Sequence, residues 1–294
     1  MLKKSVGSKA FDGFNYIFLG LLALSCLIPI IHIIAVSFSN KAATSANLVT
    51  LWPVGFHTLA YERVLSSWDF VRAFFVSMGR VLVGVSVNMF IICVTAYPLS
   101  KESNQLKGRT FLVWLLVFPM LFKGGLIPTY LVVRDVGLLN SFWALIWPGA
   151  VPIFSIILMM NFYRSLPKSL SEAAMIDGAG HFNILFKIFL PLSKPGIATL
   201  TLFEAVGHWN EWFMGMIYLN DQAKFPLQTY LRQMLLPSFA EGKITASDIE
   251  YVKMLSDKNF TAAQLVIAII PILCIYPFVQ KYFVKGLVIG SVKG

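Results

Sequence analysis

Charge is scarce in this chain: of 294 residues only 13% are Asp, Glu, Lys or Arg, against about a quarter in a soluble domain. That scarcity excludes an ordinary water-soluble fold, and with 57% hydrophobic residues it makes lipid the expected solvent. Cysteines number three, Cys26, Cys93 and Cys274, each alone inside an apolar run. That spacing excludes a disulfide framework and a cysteine metal site. Other absences narrow the chemistry. Without a G-x-x-x-x-G-K-[ST] loop the chain is not expected to bind or hydrolyse ATP by itself. Neither an HExxH motif nor a nucleophile elbow offers a hydrolytic centre, so no catalytic residue is assigned. Strands of about ten alternating residues are missing too, which excludes an outer-membrane barrel.

What is present is greasy and long. Six runs of roughly 20 or more residues have the length a membrane-crossing helix needs: Phe14–Phe38, Arg72–Pro98, Thr110–Val133, Phe142–Tyr163, Ile197–Leu219 and Ala262–Phe283. The first is too long for a signal-peptide core and no small-residue cleavage site directly follows, so it reads as a retained span. The expected fold class is an all-α membrane protein of six transmembrane helices, with residues 1–13 an N-terminal segment and 14–294 one membrane domain. The net charge of +10 reports topology rather than a nucleic-acid partner. Lys and Arg concentrate in the short segments on one side, the cytoplasmic side by the positive-inside rule. Both termini and the loop 164–196 then face the cytoplasm. Two large segments, Ser39–Val71 and Asn220–Thr261, face outward.

The polar stretch "SLSEAAMIDGAGHFNILFKIFLPLSKP", Ser169 to Pro195, lies between two of the apolar runs. Ser169 and Glu172 fit an S-x-x-E capping box, Ala173 and Ala174 favour helix, and Gly178 and Gly180 can end it. A second short helix is expected from His181 to Phe189, stopped by Pro191 and Pro195. On local physics this is either a capped loop or a compact knob suited to a socket. The segment "EAAMIDGAG…IFLP" resembles the EAA signature of permease subunits in binding-protein-dependent ABC importers, in the form typical of their carbohydrate branch. "KGLVIGSVKG", Lys285–Gly294, resembles the C-terminal tail of maltose-type permeases. "FKGGLIPTY" and "WNEWF" resemble the subfamily for larger or more complex oligosaccharides.

The resemblance implies the type I ABC importer permease fold, with Glu172, Ala173, Ala174, Asp177 and Gly178 forming a coupling helix that docks on a cytoplasmic ATPase. It further implies that the tail 284–294, with Gly286, Lys293 and Gly294, reaches toward that ATPase. The implied partners are a second homologous permease chain, two ATPase subunits, an extracytoplasmic sugar-binding protein and the oligosaccharide itself. No cofactor is expected in this chain, ATP and Mg belonging to the ATPase subunits. The implied location is a bacterial cytoplasmic membrane.

Ionisable groups at membrane depth are costly and so are functional candidates. The fifth run carries Glu204, His208 and Glu211 at i, i+4, i+7, one face of a continuous helix, interleaved with Trp209, Asn210 and Trp212. The third run holds Lys123 near its middle, followed by Gly124, Gly125 and Pro128, which predict a break where backbone lines a cavity. Lys123 is expected to neutralise Glu204 or Glu211. Arg80 is expected to snorkel to the outer interface, and Arg80 and Asn88 to be structural. Three readings compete for the fifth-run face: a sugar path of stacked indoles and hydroxyl acceptors, interhelical hydrogen bonding, or a proton relay or metal site. Metal is weakest, because no second ligand cluster supports it. The rival function is an ion-coupled secondary transporter using Glu204, His208 and Glu211, which would show paired broken helices in matching halves.

Overall fold

The structure, a computed structural model, describes residues 6–235 and 258–291, all helical or loop with no strand among them. The chain divides into two units, Met1–Val71 with Met234–Ile270 and Arg72–Gln233 with Pro271–Gly294.

The first unit begins with α1 (Val6–Ser37), apolar on every side. Phe14, Ile17, Leu21, Leu24 and Ile28 along it are all exposed, as in a span whose surroundings are hydrocarbon. Among the described residues its far end is the packed part: Ala35 is buried with Ala43 and Val49, and Ser37 Oγ lies 2.7 Å from the Tyr61 hydroxyl. Asn40 then caps α2 (Lys41–Ser45) by accepting from the Ala43 amide at 2.8 Å. From α3 (Leu59–Ser66), Arg63 lies 5.1 Å over the ring of Phe260, near the start of the last helix.

The second unit holds the next spans from Arg72 on and the last helix from Pro271 on. Helix α4 (Trp68–Ser100) crosses without interruption. The predicted third span is α5 (Arg109–Leu121) and α6 (Leu126–Asp135), bent by 111°. Gly125 supplies the φ of +91° at that break, a left-handed region few other residues tolerate. The break expected from Lys123 to Pro128 is therefore observed. The fourth span is broken as well, two 3₁₀ turns (Phe142–Leu145 and Trp147–Gly149) meeting α7 (Ile153–Arg164) at 50°, with Pro148 and Pro152 at the joint.

The predicted fifth span, 197–219, divides into α11 (Lys194–Asn210) and α12 (Phe213–Tyr218), with Glu211 extended between them. Preceding it are α8 (Lys168–Ile176), α9 (His181–Ile184), a π turn (Leu185–Phe189) and α10 (Leu190–Leu192). The second short helix thus runs past Pro191, the π turn accommodating a ring that has no amide to donate, and the chain bends by 81° into α11. Helix α13 (Leu227–Leu235) ends the continuous stretch, and α14 (Lys258–Ser291) is the last span. Most of the second predicted outer segment, 236–257, lies outside the described residues.

One apolar core ties α4, α7, α8, α9 and α11 together, through Ile92, Ala96, Met159, Tyr163, Ala174, Ile184 and Leu200. By contrast α5 buries none of its residues, as expected of a helix facing hydrocarbon. Among the described residues three helices alone are long and apolar enough to cross a membrane, or up to six if each bent pair counts as one.

Candidate functional site

Residues 80, 84 and 88 of α4 are spaced i, i+4, i+8 and so share one helix face. They meet residues 211, 208 and 204 in antiparallel order, forming a polar seam at membrane depth. At one end, Arg80 Nη1 lies 2.9 Å from Glu211 Oε2 and donates to the Glu211 carbonyl at 3.0 Å. Its Nη2 donates to the Leu145 carbonyl at 3.2 Å. In the middle Gly84 faces His208 so closely that a Cβ there would lie 2.5 Å from the imidazole Cε1. At the other end Asn88 Nδ2 donates to Glu204 Oε2 at 2.7 Å and sits 3.3 Å from His208 Nε2. Ser155 of α7 donates to the second Glu204 oxygen at 2.6 Å.

Arg80 is only 2% exposed, so it does not snorkel; its charge is held inside by Glu211 and two carbonyls. Glu211 in turn is not on the α11 face with Glu204 and His208. The helix ends at Asn210, and the extended Glu211 turns its Oε1 to accept from the Met214 amide at 2.8 Å, at the start of α12. The i+7 spacing presupposed a continuous helix, and the break removes it. Among the described residues Arg80 Nε and Asn88 Oδ1 find no hydrogen-bond partner.

Lys123 lies exposed in the break between α5 and α6. Neither carboxylate is its partner: Glu211 is paired with Arg80, and Glu204 is bonded to Asn88 and Ser155. The expected neutralisation of Lys123 is thus corrected. Trp209 is 3% exposed and packs edge-on against Phe74 at 5.7 Å, leaving no open indole face there. Asn210 is exposed and Trp212 half-buried, with the Arg232 guanidinium 4.8 Å over its ring. No group of three or more His, Cys, Asp or Glu that could hold a metal occurs among the described residues. Arg80 and Asn88 were legible as intramembrane polar groups; the glycine midway between them was the missing clue that their face is a contact face.

The second region is the short helix α8. Its expected capping box does not form: the helix starts two residues earlier, at Lys168, with Pro167 rather than Ser169 at the cap and no side-chain cap bond. Its far end is closed by backbone alone. The Ala179 amide donates to the Ala174 carbonyl at 2.9 Å and Gly178 to Met175 at 3.1 Å, a Schellman closure. Gly178 carries the φ of +78° this closure demands. Ser171 and Ala174 anchor α8 to the core, while Glu172, Ala173, Ile176 and Asp177 are exposed, Ile176 by 86%. At its start Lys168 pairs with Glu102 in the loop after α4. That contact holds the Glu102 carboxyl below and the Lys168 ammonium above their usual ranges. Of the tail residues, Gly286 lies within α14, and Lys293 and Gly294 lie outside the described residues.

Residues 2–289 match the model of the family described as "Binding-protein-dependent transport system inner membrane component". Protein LplC of Bacillus subtilis (strain 168) is 43% identical over 97% of this chain and 96% of its own. The polygalacturonan/rhamnogalacturonan transport system permease protein YtcP of the same organism is 42% identical over 98% of this chain and 99% of its own. Among solved structures, a chain of a bacterial ABC transporter involved in the import of the acidic polysaccharide alginate superposes with a TM-score of 0.85. That chain is 34% identical, over 96% of this chain and 100% of its own.

Proposed function

The chain belongs to the family of binding-protein-dependent transport system inner membrane components, permease subunits with no catalytic activity of their own, and on that premise we propose that it forms half of the pathway of an ATP-driven oligosaccharide importer. Membership sets aside the ion-coupled carrier. The substrate class is an oligosaccharide of an acidic polysaccharide, a reading supported by the names of the relative and of the solved importer at 42% and 34% identity. The partners are a second permease chain, two ATPase subunits carrying ATP and Mg, and an extracytoplasmic sugar-binding protein. Both termini and α8 face the cytoplasm of a bacterial cell.

The observation that carries the mechanism is α8. It is fixed to the spans by Ala174 and Ser171 yet presents Glu172, Ala173 and a nearly bare Ile176 outward. A rigid, anchored knob with an apolar tip transmits displacement rather than absorbing it. ATP binding closes the ATPase pair, which moves α8 and through the shared core tilts α4, α7 and α11. The nucleotide shifts this equilibrium only by its differential affinity for the two arrangements. The tail, with Gly286, Lys293 and Gly294, gives the ATPase a second contact. The pathway runs beside the seam, where Asn210, Trp212, Glu211 and Glu204 supply polar edges and an aromatic face, with Lys123, His208 and Trp209 bordering it.

Purification from the native membrane in mild detergent tests the reading. A Walker-motif ATPase and a second permease chain should remain bound, and scrambling 172–178 should release the ATPase. Solute movement in vesicles holding this chain alone, without ATP, would overturn it. Orientation is read separately: an impermeant maleimide on intact cells should label Trp52→Cys and miss Ser103→Cys.

A further inference from the structure

At the end of α4 bearing Ser100, four cations crowd together, and three of them are engaged. Arg109 Nε donates to the Leu99 carbonyl at 2.7 Å and Arg164 Nε to the Ser100 carbonyl at 3.4 Å, closing the helix end. Lys168 pairs with Glu102. The fourth, Lys101, has no carboxylate partner among the described residues: its ammonium lies 4.6 Å over the Tyr97 ring and 4.9 Å over the Phe189 ring. Burial pushes that ammonium below the ordinary lysine range. A half-buried cation held only by aromatic faces is a site for an anion.

Lys101 lines a cavity of about 520 Å³ between α4, the loop that follows it, α8 and α9. The other polar groups there are Gln105, His181 and the Tyr97 hydroxyl, which lies 3.3 Å from His181 Nδ1. The remaining wall is apolar, with Val94, Leu106, Met175, Phe182 and Leu185. A free inorganic anion has no use for such a wall, whereas an acyl chain does. Basic pockets at the cytoplasmic ends of spans attract anionic headgroups.

We propose that this cavity binds an anionic phospholipid of the inner leaflet, its headgroup on Lys101 and an acyl chain along Leu106, Phe182 and Leu185. Because Met175 belongs to α8, the lipid touches both the end of a span and the proposed coupling helix, and its presence stiffens the link between them. The assignment rests on the orientation given under the proposed function. Maleimide labelling reads that orientation independently, so a wrong leaflet and a wrong pocket give different results.

The test uses the complete importer in nanodiscs of phosphatidylcholine with or without phosphatidylglycerol. Native mass spectrometry should show phosphatidylglycerol retained by the wild type and about fivefold less by Lys101→Gln, with Lys101→Arg retaining it. Leu106→Trp, which fills the cavity and keeps the charge, should lose the lipid too. Substrate-stimulated ATP hydrolysis should rise with phosphatidylglycerol in the wild type and Lys101→Arg, and in neither Lys101→Gln nor Leu106→Trp. A photoreactive residue in place of Phe182 should crosslink to phospholipid. Equal retention by all variants, displacement by inorganic phosphate, or crosslinking to the ATPase subunit instead would each overturn the assignment.

Discussion

Replacing Glu211 and Arg80 together should destabilise the protein by less than the sum of the two single replacements. Arg80 is 2% exposed and its guanidinium stays charged at any accessible pH. Removing the carboxylate therefore leaves a buried cation with two carbonyls and no counter-charge, a loss of about 3–5 kcal/mol for a broken buried pair. Arg80→Met fails differently. The Glu211 side chain is 25% exposed and stays within reach of water. The Glu211 and Leu145 carbonyls, however, lose their donors, at about 1–3 kcal/mol for each buried unsatisfied group. In the double variant Arg80→Met, Glu211→Ala no uncompensated charge remains, so the coupling energy should reach about 2 kcal/mol, inside the range for residues in direct contact. Unfolding by SDS titration in mixed micelles, followed through the seven tryptophans, measures all three. Additive single costs, or a Glu211→Ala variant as stable as the wild type, would refute the buried-pair reasoning.

Gly84→Ala should cost about 1–3 kcal/mol by overpacking, because its Cβ would sit 2.5 Å from the His208 ring; an unchanged unfolding midpoint would mean the seam is looser than described. Gly178→Val should leave insertion intact, since open space surrounds a Cβ there, yet strain the +78° backbone by about 1–2 kcal/mol. Uptake and substrate-stimulated ATPase should fall, and normal values for both would sink the coupling role of α8. Trp209→Ala removes a 3% exposed ring from its packing against Phe74. About 3–5 kcal/mol of stability should go with it, and lost transport at full stability would restore the sugar-stacking role. For the Lys168–Glu102 pair, Glu102 is depressed from 4.5 and Lys168 raised from 10.5. The contribution of Glu102 is full above 4.5 and fades as pH falls through its lower folded value. That of Lys168 is full below 10.5 and fades as pH rises through its higher folded value. Amide exchange of Leu170 and Ser171, corrected for intrinsic rate, should thus be flat between those limits and quicken outside them. Quickening at neutral pH would contradict the pairing.

The sequence by itself determined the solvent, the number of apolar crossings and the family. Each is written in composition, in run length or in contiguous signatures such as "EAAMIDGAG". It also marked two places where the backbone had to be special, Gly124 and Gly125 at the third-span break and Gly178 and Gly180 at the end of α8; the structure puts the positive φ at Gly125 and Gly178. Only the tertiary structure decided which polar groups meet. Arg80 finds Glu211 across 131 residues of chain, and Asn88 finds Glu204 across 116. Nothing local encodes such a pairing, since it depends on two helices lying antiparallel with a glycine between them. The interruption at Glu211 escaped the periodic reading because no proline or glycine marks it. Arg80 accepts it as a partner there, and the Met214 amide takes its carboxylate, so an extended residue at membrane depth keeps its polar groups bonded. Burial and long-range hydrogen bonding, rather than spacing, joined Glu204, His208 and Glu211 to α4 in one seam.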